Sequence, residues 1–111
     1  MSNATQNDRI FKALSHHRRR DLLDALRDKP QTTGALCEAF SDIDRCTVMQ
    51  HLKVLEEADL IIVRRAGRER WNHLNPLPIK TIHDRWIGEY ARYAVDKLAA
   101  MKSDLERPTQ G

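Results

Sequence analysis

Residues 45–57, RCTVMQHLKVLEE, constrain the fold of this chain more than any other stretch. Wound at about 100° per residue, Val48, Leu52 and Leu55 recur at i, i+4 and i+7 and form one apolar stripe. Cys46, Met49, Gln50 and Lys53 fall on the opposite side, and His51 lies between the two. Such a helix packs on one side and offers the other to a partner. The residues before it, Ser41-Asp42-Ile43-Asp44, are turn and capping types, with Asp44 placed to cap the helix N-terminus. Upstream, Thr32 reads as the N-cap of a short helix through Phe40 whose apolar residues are Leu36, Ala39 and Phe40. Helices joined by so short a turn form a helix-turn-helix.

The flanking segments extend this unit. Asp8 to Leu14 reads as a first helix with Ile10, Phe11 and Leu14 inward, and Ser15 as the cap of a second, from His17 to Arg27, that buries Leu22, Leu23 and Leu26 before Pro30 ends it. After Asp59 the pattern turns to the β-branched run Leu60-Ile61-Ile62-Val63, then Arg65-Ala66-Gly67-Arg68, then Arg70-Trp71-Asn72-His73-Leu74, a hairpin. Gly67 accepts positive φ and Ala66 does not, so the expected connection is a type I turn followed by a glycine bulge. Pro76 and Pro78 close the strand region. A last helix, from about Ile79 to Glu106, carries Ile79, Ile82, Trp86, Tyr90, Ala94, Leu98, Met101 and Leu105 along one side. The expected fold class is mostly α with a small β-hairpin wing: a winged helix-turn-helix with a C-terminal dimerisation helix. Its expected divisions are a flexible N-terminus (1–8), the winged helix-turn-helix domain (9–75), the dimerisation helix (76–106) and a flexible tail (107–111).

Charge points to the partner of the exposed helix face. From Arg64 to Arg70 four arginines stand against one glutamate, so seven residues carry +3, as much as the whole chain. A second basic cluster is Arg18, Arg19 and Arg20. An arginine run on a hairpin is commonly a solvated edge that discourages sheet pairing, but beside a helix-turn-helix it reads as a polyanion contact. A major groove admits one helix, where Gln50 suits adenine, Cys46 and Met49 offer apolar contacts, and Lys53 reaches guanine or phosphate. Arg45 stands at the helix entrance. The acidic Glu56, Glu57 and Asp59 require the C-terminal half to tilt away from phosphates. Arg65, Arg68 and Arg70 cannot all share one strand face with Arg64, and Arg68 at the tip is placed to follow a phosphate or enter the minor groove. Thr32, Thr33 and the amides at the start of the third helix offer further phosphate contacts. Trp86, Tyr90, Leu98 and Met101 make a stripe too wide for one small core and are the expected homodimer interface.

Other classes find less support. The 111 residues suit one domain, no apolar run approaches the roughly 20 residues of a bilayer span, and no secretory signal opens the chain, so a cytoplasmic location is expected. Cys37 and Cys46 lack CxxC spacing and fit a reducing compartment; a redox role would require their Cα atoms within about 7 Å. No Gly-rich phosphate loop and no paired carboxylates with a nucleophile suggest an enzyme, and no cofactor is expected. The competing reading is a winged-helix module that binds a protein, with Cys46 and Met49 buried against it.

The segments FKALSHHRRRDLLDAL, HLKVLEEADLIIVRRAGRERW and HLNP resemble the ArsR/SmtB family of bacterial winged-helix transcriptional repressors, from about Ile10 to Pro76. The resemblance implies a homodimer that represses from a palindromic operator on double-stranded DNA. Arg19 matches the family's arginine in the second helix, with either an ion pair or a phosphate contact as its role. Metal-responsive members carry E-L-C-x-C-D in the third helix. Here the run is Ala35-Leu36-Cys37-Glu38-Ala39-Phe40, with one of the two thiolates, and the last helix offers His83 and Asp84 without a second histidine after them. Four ligands are the norm for such a site, so the chain resembles a branch of the family without the usual metal motifs, and a metal- or thiol-responsive repressor with a non-standard site is the remaining variant.

Overall fold

A computed structural model describes residues 3–106, which fall into two compact units dividing after Ile79, four residues past the boundary read from the sequence. The tail at 107–111 lies outside the described residues.

In the first unit α1 (Asn3–Leu14) and α2 (His17–Leu26) precede a short strand β1 (Gln31–Thr32), then α3 (Thr33–Ala39) and α4 (Arg45–Glu57), and the hairpin β2 (Ile61–Ala66) and β3 (Glu69–Leu74). The first helix begins five residues earlier than expected, so residues 3–8, assigned from sequence to a flexible N-terminus, are helical: Asn3 to Asp8 hold no Pro or Gly to stop it. Ile10 and Ala13, one turn apart, are buried, while Leu14 is half-buried and Phe11, expected inward, is 46% exposed because it sits about 100° round from Ile10. α2 is capped by the His16 ring, whose Nδ1 accepts from the Arg18 amide at 3.1 Å, and not by Ser15, whose hydroxyl donates backwards to the Lys12 carbonyl.

The three-stranded antiparallel sheet has the order β1-β3-β2. β1 is absent from the sequence reading. Its Gln31 and Thr32 pair with Asn72 and Trp71, and the fully buried Asn72 donates from Nδ2 to the Gln31 carbonyl (3.2 Å) and the Thr33 hydroxyl (3.1 Å). The hairpin register runs from Ile61↔Leu74 to Ala66↔Glu69, leaving Gly67 and Arg68 as a two-residue turn. Gly67 has φ +63° and Arg68 is not in the left-handed region, the pattern of a type II′ turn, so the expected bulge is not formed: glycine at the first central position is what II′ asks for.

α4 ends in a Schellman arrangement. The Asp59 amide donates to the Glu56 carbonyl and the Leu60 amide to the Leu55 carbonyl, which puts Asp59 at φ +59°, a conformation aspartate tolerates better than most residues. Asn75, next to the end of β3, holds this corner by donating from Nδ2 to the Asp59 carbonyl at 2.8 Å and from its amide to the Leu60 carbonyl at 2.9 Å. Leu22, Leu36, Val48, Leu55 and Leu60 are sealed from solvent, so the helix-turn-helix and the base of the hairpin share one core.

Beyond the hairpin the chain is helical from α5 (Leu77–Ile82) through a wide π turn at His83–Ile87 into α6 (Gly88–Glu106). The Gly88 amide reaches back five residues to the His83 carbonyl, and a Cβ at Gly88 would lie 3.3 Å from that oxygen. No residue of α6 is buried.

Candidate nucleic-acid interface

The helix-turn-helix is assembled by short-range capping. Thr32 caps α3, its Oγ1 accepting from the Ala35 amide at 3.1 Å. Asp44 caps α4, one carboxylate oxygen accepting from the Thr47 amide and the other from the Thr47 hydroxyl, both at 2.8 Å. The Thr47 backbone bond above all, then its hydroxyl, holds the Asp44 carboxyl below its ordinary value. The α3–α4 connector is fastened from outside by an Arg18–Asp42 ion pair.

With its N-terminus fixed, α4 divides as its sequence requires. Val48, His51, Leu52 and Leu55 are buried, while Arg45, Cys46, Gln50 and Lys53 are exposed and Met49 is 43% exposed. Cys46, Met49, Gln50 and Lys53 line a groove of about 790 Å³ whose walls also carry Arg70 of β3 and Arg9 of α1 and, towards the end of α4, the acidic Glu56, Glu57 and Asp59. Sequence reasoning misses Arg9, because a lone arginine on a first helix carries no signal of what lies beside it.

The wing presents its arginines unequally. Arg68 stands exposed at the turn, and Arg65 is exposed on β2 directly across from Arg70. Arg64, across from Trp71, is on the opposite face of the ribbon. Arg70 is turned to α4, its Nη2 lying 3.4 Å from a Glu56 carboxylate oxygen, and its Nε is buried without a partner. Thr33, expected to meet phosphate, is buried with its hydroxyl accepting from Asn72; its side chain belongs to the core side of α3, a correction that follows from the unforeseen strand β1.

The second basic cluster is structural. Arg19 donates from Nε to the Ala13 carbonyl (2.8 Å) and from Nη2 to the Lys12 carbonyl (2.9 Å), and Arg20 donates to the Leu14 carbonyl (2.7 Å). Cationic donors satisfy the last carbonyls of α1, where the helix dipole favours them. Neither role considered for Arg19, ion pair or phosphate contact, describes it. His51, which lies between the two faces of α4, is buried and packs towards α2, its Nδ1 lying 3.3 Å from Arg19 Nη1.

Among the described residues no cluster of three or more His, Cys, Asp or Glu side chains could hold a metal ion, and no helix is long and apolar enough to cross a membrane. Cys37 is half-buried and Cys46 exposed, both as free thiols. On the C-terminal helices Trp86 is half-buried under the Arg85 guanidinium, 5.0 Å from its ring centroid, while Tyr90 (65%) and Leu98 (62%) are open, with Met101 exposed beside them.

Comparison with known proteins agrees with this architecture. A helix-turn-helix domain family matches residues 9–64. The chain is similar to an uncharacterised HTH-type transcriptional regulator, YuzN of Bacillus subtilis, at 34% identity over 86 residues, covering 72% of this chain and 94% of that one. It is 35% identical over 66 residues to the transcriptional repressor SdpR of the same organism, covering 60% of this chain and 72% of that one. Among solved structures, the ArsR family transcriptional regulator RHA00566 superposes with a TM-score of 0.73 at 27% identity, over 83% of this chain and 93% of that one. The chain belongs to this helix-turn-helix family, as a winged helix-turn-helix transcriptional regulator of the ArsR type.

Proposed function

We propose that the protein is a sequence-specific repressor that acts in the cytoplasm as a homodimer on an inverted-repeat operator. The observation that carries this reading is the division of α4: one side is locked into the core and the other, with Cys46, Met49, Gln50 and Lys53, is left open beside a basic wing. In a two-fold dimer the recognition helices would enter successive major grooves about 34 to 36 Å apart. Gln50 reads adenine, Met49 and Cys46 touch thymine methyls, Lys53 and Arg45 take guanine or phosphate, and Arg68, with Arg65, follows the backbone into the minor groove. Thr32 keeps a hydroxyl proton to donate while its oxygen caps α3. Arg70 acts on the duplex less directly, since Glu56 holds it. Repression follows the likeness to SdpR.

The exposed stripe of α6, Tyr90, Leu98 and Met101, with Trp86 before it, supports dimerisation, and Phe11 of α1 is a further apolar surface a second copy would cover. Equilibrium titration of a fluorescent duplex from the intergenic DNA upstream of the coding region tests the reading. Wild type binds it in preference to a scrambled duplex; Arg68→Ala weakens both and lowers the salt slope of log K by about 0.9 for each phosphate left unneutralised, and Gln50→Ala erodes the preference. No duplex affinity at low salt returns the protein-binding module to first place.

A further inference from the structure

His51 is the buried polar residue of the recognition helix, and its surroundings are unusual in sign. Its ring packs against that of His16 (centroids 4.6 Å apart, planes at 49°), and His16 in turn stacks on His17 at 5.0 Å. A guanidinium has donors only, so Arg19 must donate to His51 Nδ1, which fixes His51 as the neutral ring with its proton on Nε2. His16 likewise spends its Nδ1 lone pair on the Arg18 amide to cap α2. An imidazolium has no lone pair at either nitrogen. Adding a proton at Nδ1 therefore breaks the cap of α2 or the α2–α4 bond, and puts further positive charge beside an arginine already gripping the Ala13 and Lys12 carbonyls at the end of α1.

We propose that His51 is a positioning residue for DNA reading: acting through Arg19, with His16 against it, the neutral ring holds the recognition helix to the α1–α2 corner, and protonation of the pair loosens that hold and weakens DNA binding in mild acid. The proposal rests on the DNA-binding reading above. The charged groups acting on His51 are all on or next to α2, and all are cationic or become so: His16, Arg19, His17 and Arg18. From the other elements that meet α4, α1, α3 and β2 bring the buried uncharged side chains Ile10 and Ala13, Thr33 and Leu36, and Ile61, while the charged groups are Arg70 of β3, which Glu56 of α4 holds, and Arg9 of α1, on the groove beside Met49 and Gln50. Asp42, in the connector, is taken up by Arg18. Burial first and neighbouring cations second, those four for His51 and Arg19, His17, Arg18 and Arg20 for His16, hold both rings below the ordinary value of 6.5. For a histidine held low the sign is fixed: the arrangement has its full stability above pH 6.5 and loses it as pH falls from there through the lower folded value.

The test has two arms on the full chain. Affinity for the intergenic duplex is measured from about pH 7.5 to about pH 5.5 at constant ionic strength, a span that brackets histidine titration. Wild type is expected to lose affinity as pH falls through the folded-state midpoints of these rings, which lie below 6.5, by up to about tenfold per pH unit for each linked proton. His51→Gln accepts from Arg19 without titrating and His16→Asn keeps a capping oxygen, so the double variant binds at neutral pH and has a flat profile. In the second arm, NMR titration of the ring resonances of DNA-free wild type gives midpoints for His16 and His51 below 6.5, with amide exchange in α4 quickening through the same range. A double variant that keeps the wild-type pH profile, or ring midpoints at or above 6.5, overturns the proposal. Absence of duplex affinity at neutral pH overturns the DNA-binding reading instead, and the NMR arm still decides whether the hold of Arg19 on His51 depends on protonation.

Discussion

At the scale of single residues, polar side chains in this domain are assigned by the backbone groups they meet. Asn72 satisfies a strand carbonyl and a helix hydroxyl at once in a fully buried position. Asn72→Ala leaves both without their donor, and we expect a loss of about 1–3 kcal/mol in urea denaturation, whereas a loss indistinguishable from zero would mean the sheet closes without it. Asp44 makes the same point at a helix end. Its carboxyl is held low by Thr47, so its contribution is present above the ordinary 3.8 and is lost as pH falls through the lower folded value. Asp44→Ala should lower the urea midpoint at neutral pH, with the difference from wild type shrinking in acid; an unchanged difference would show that the cap is not the source. The capping roles of Asp44 and Thr32 are legible in the sequence because both depend on neighbours within three residues. Those of Arg18, Arg19 and Arg20 are not, since three consecutive arginines look alike until α1 and the connector present an ion-pair partner to one and carbonyls to the others.

Among the elements, the two sides of α4 are legible because helical period alone separates Val48, Leu52 and Leu55 from Met49, Gln50 and Lys53. The two-residue strand β1 is not: it is too short to show alternation, and it exists because Asn72 and Trp71 of a strand forty residues later receive it. That omission also misplaces Thr33. The wing lies where the sequence puts it, but its turn is tighter than expected, with Gly67 at φ +63°. Gly67→Val should destabilise the hairpin by about 1–2 kcal/mol, seen as a lower thermal midpoint and, on the proposed division in which the wing positions and α4 reads, as weaker DNA affinity with little change in sequence preference. A loss of preference as large as that in Gln50→Ala would contradict this division of labour.

For the whole molecule, the winged helix-turn-helix is complete without α6, yet α6 is an amphipathic helix with none of its residues buried. Removing Tyr90, Leu98 and Met101 from water stabilises by about 1.5–3 kcal/mol for each large side chain fully covered, a substantial drive for a second copy to bind there. Leu98→Glu is expected to shift the protein from dimer to monomer in sedimentation equilibrium and to cut operator affinity while leaving the domain folded by circular dichroism; an unchanged mass would remove α6 from the interface. The most direct test of the central claim is a hydroxyl-radical and guanine-methylation footprint of the upstream intergenic DNA. Two protected half-sites are expected in inverted orientation about 10 to 10.5 base pairs apart, and in Gln50→Ala protection that needs more protein and is less confined to those half-sites. Protection that is absent, or that is the same in Gln50→Ala as in wild type, would contradict that claim.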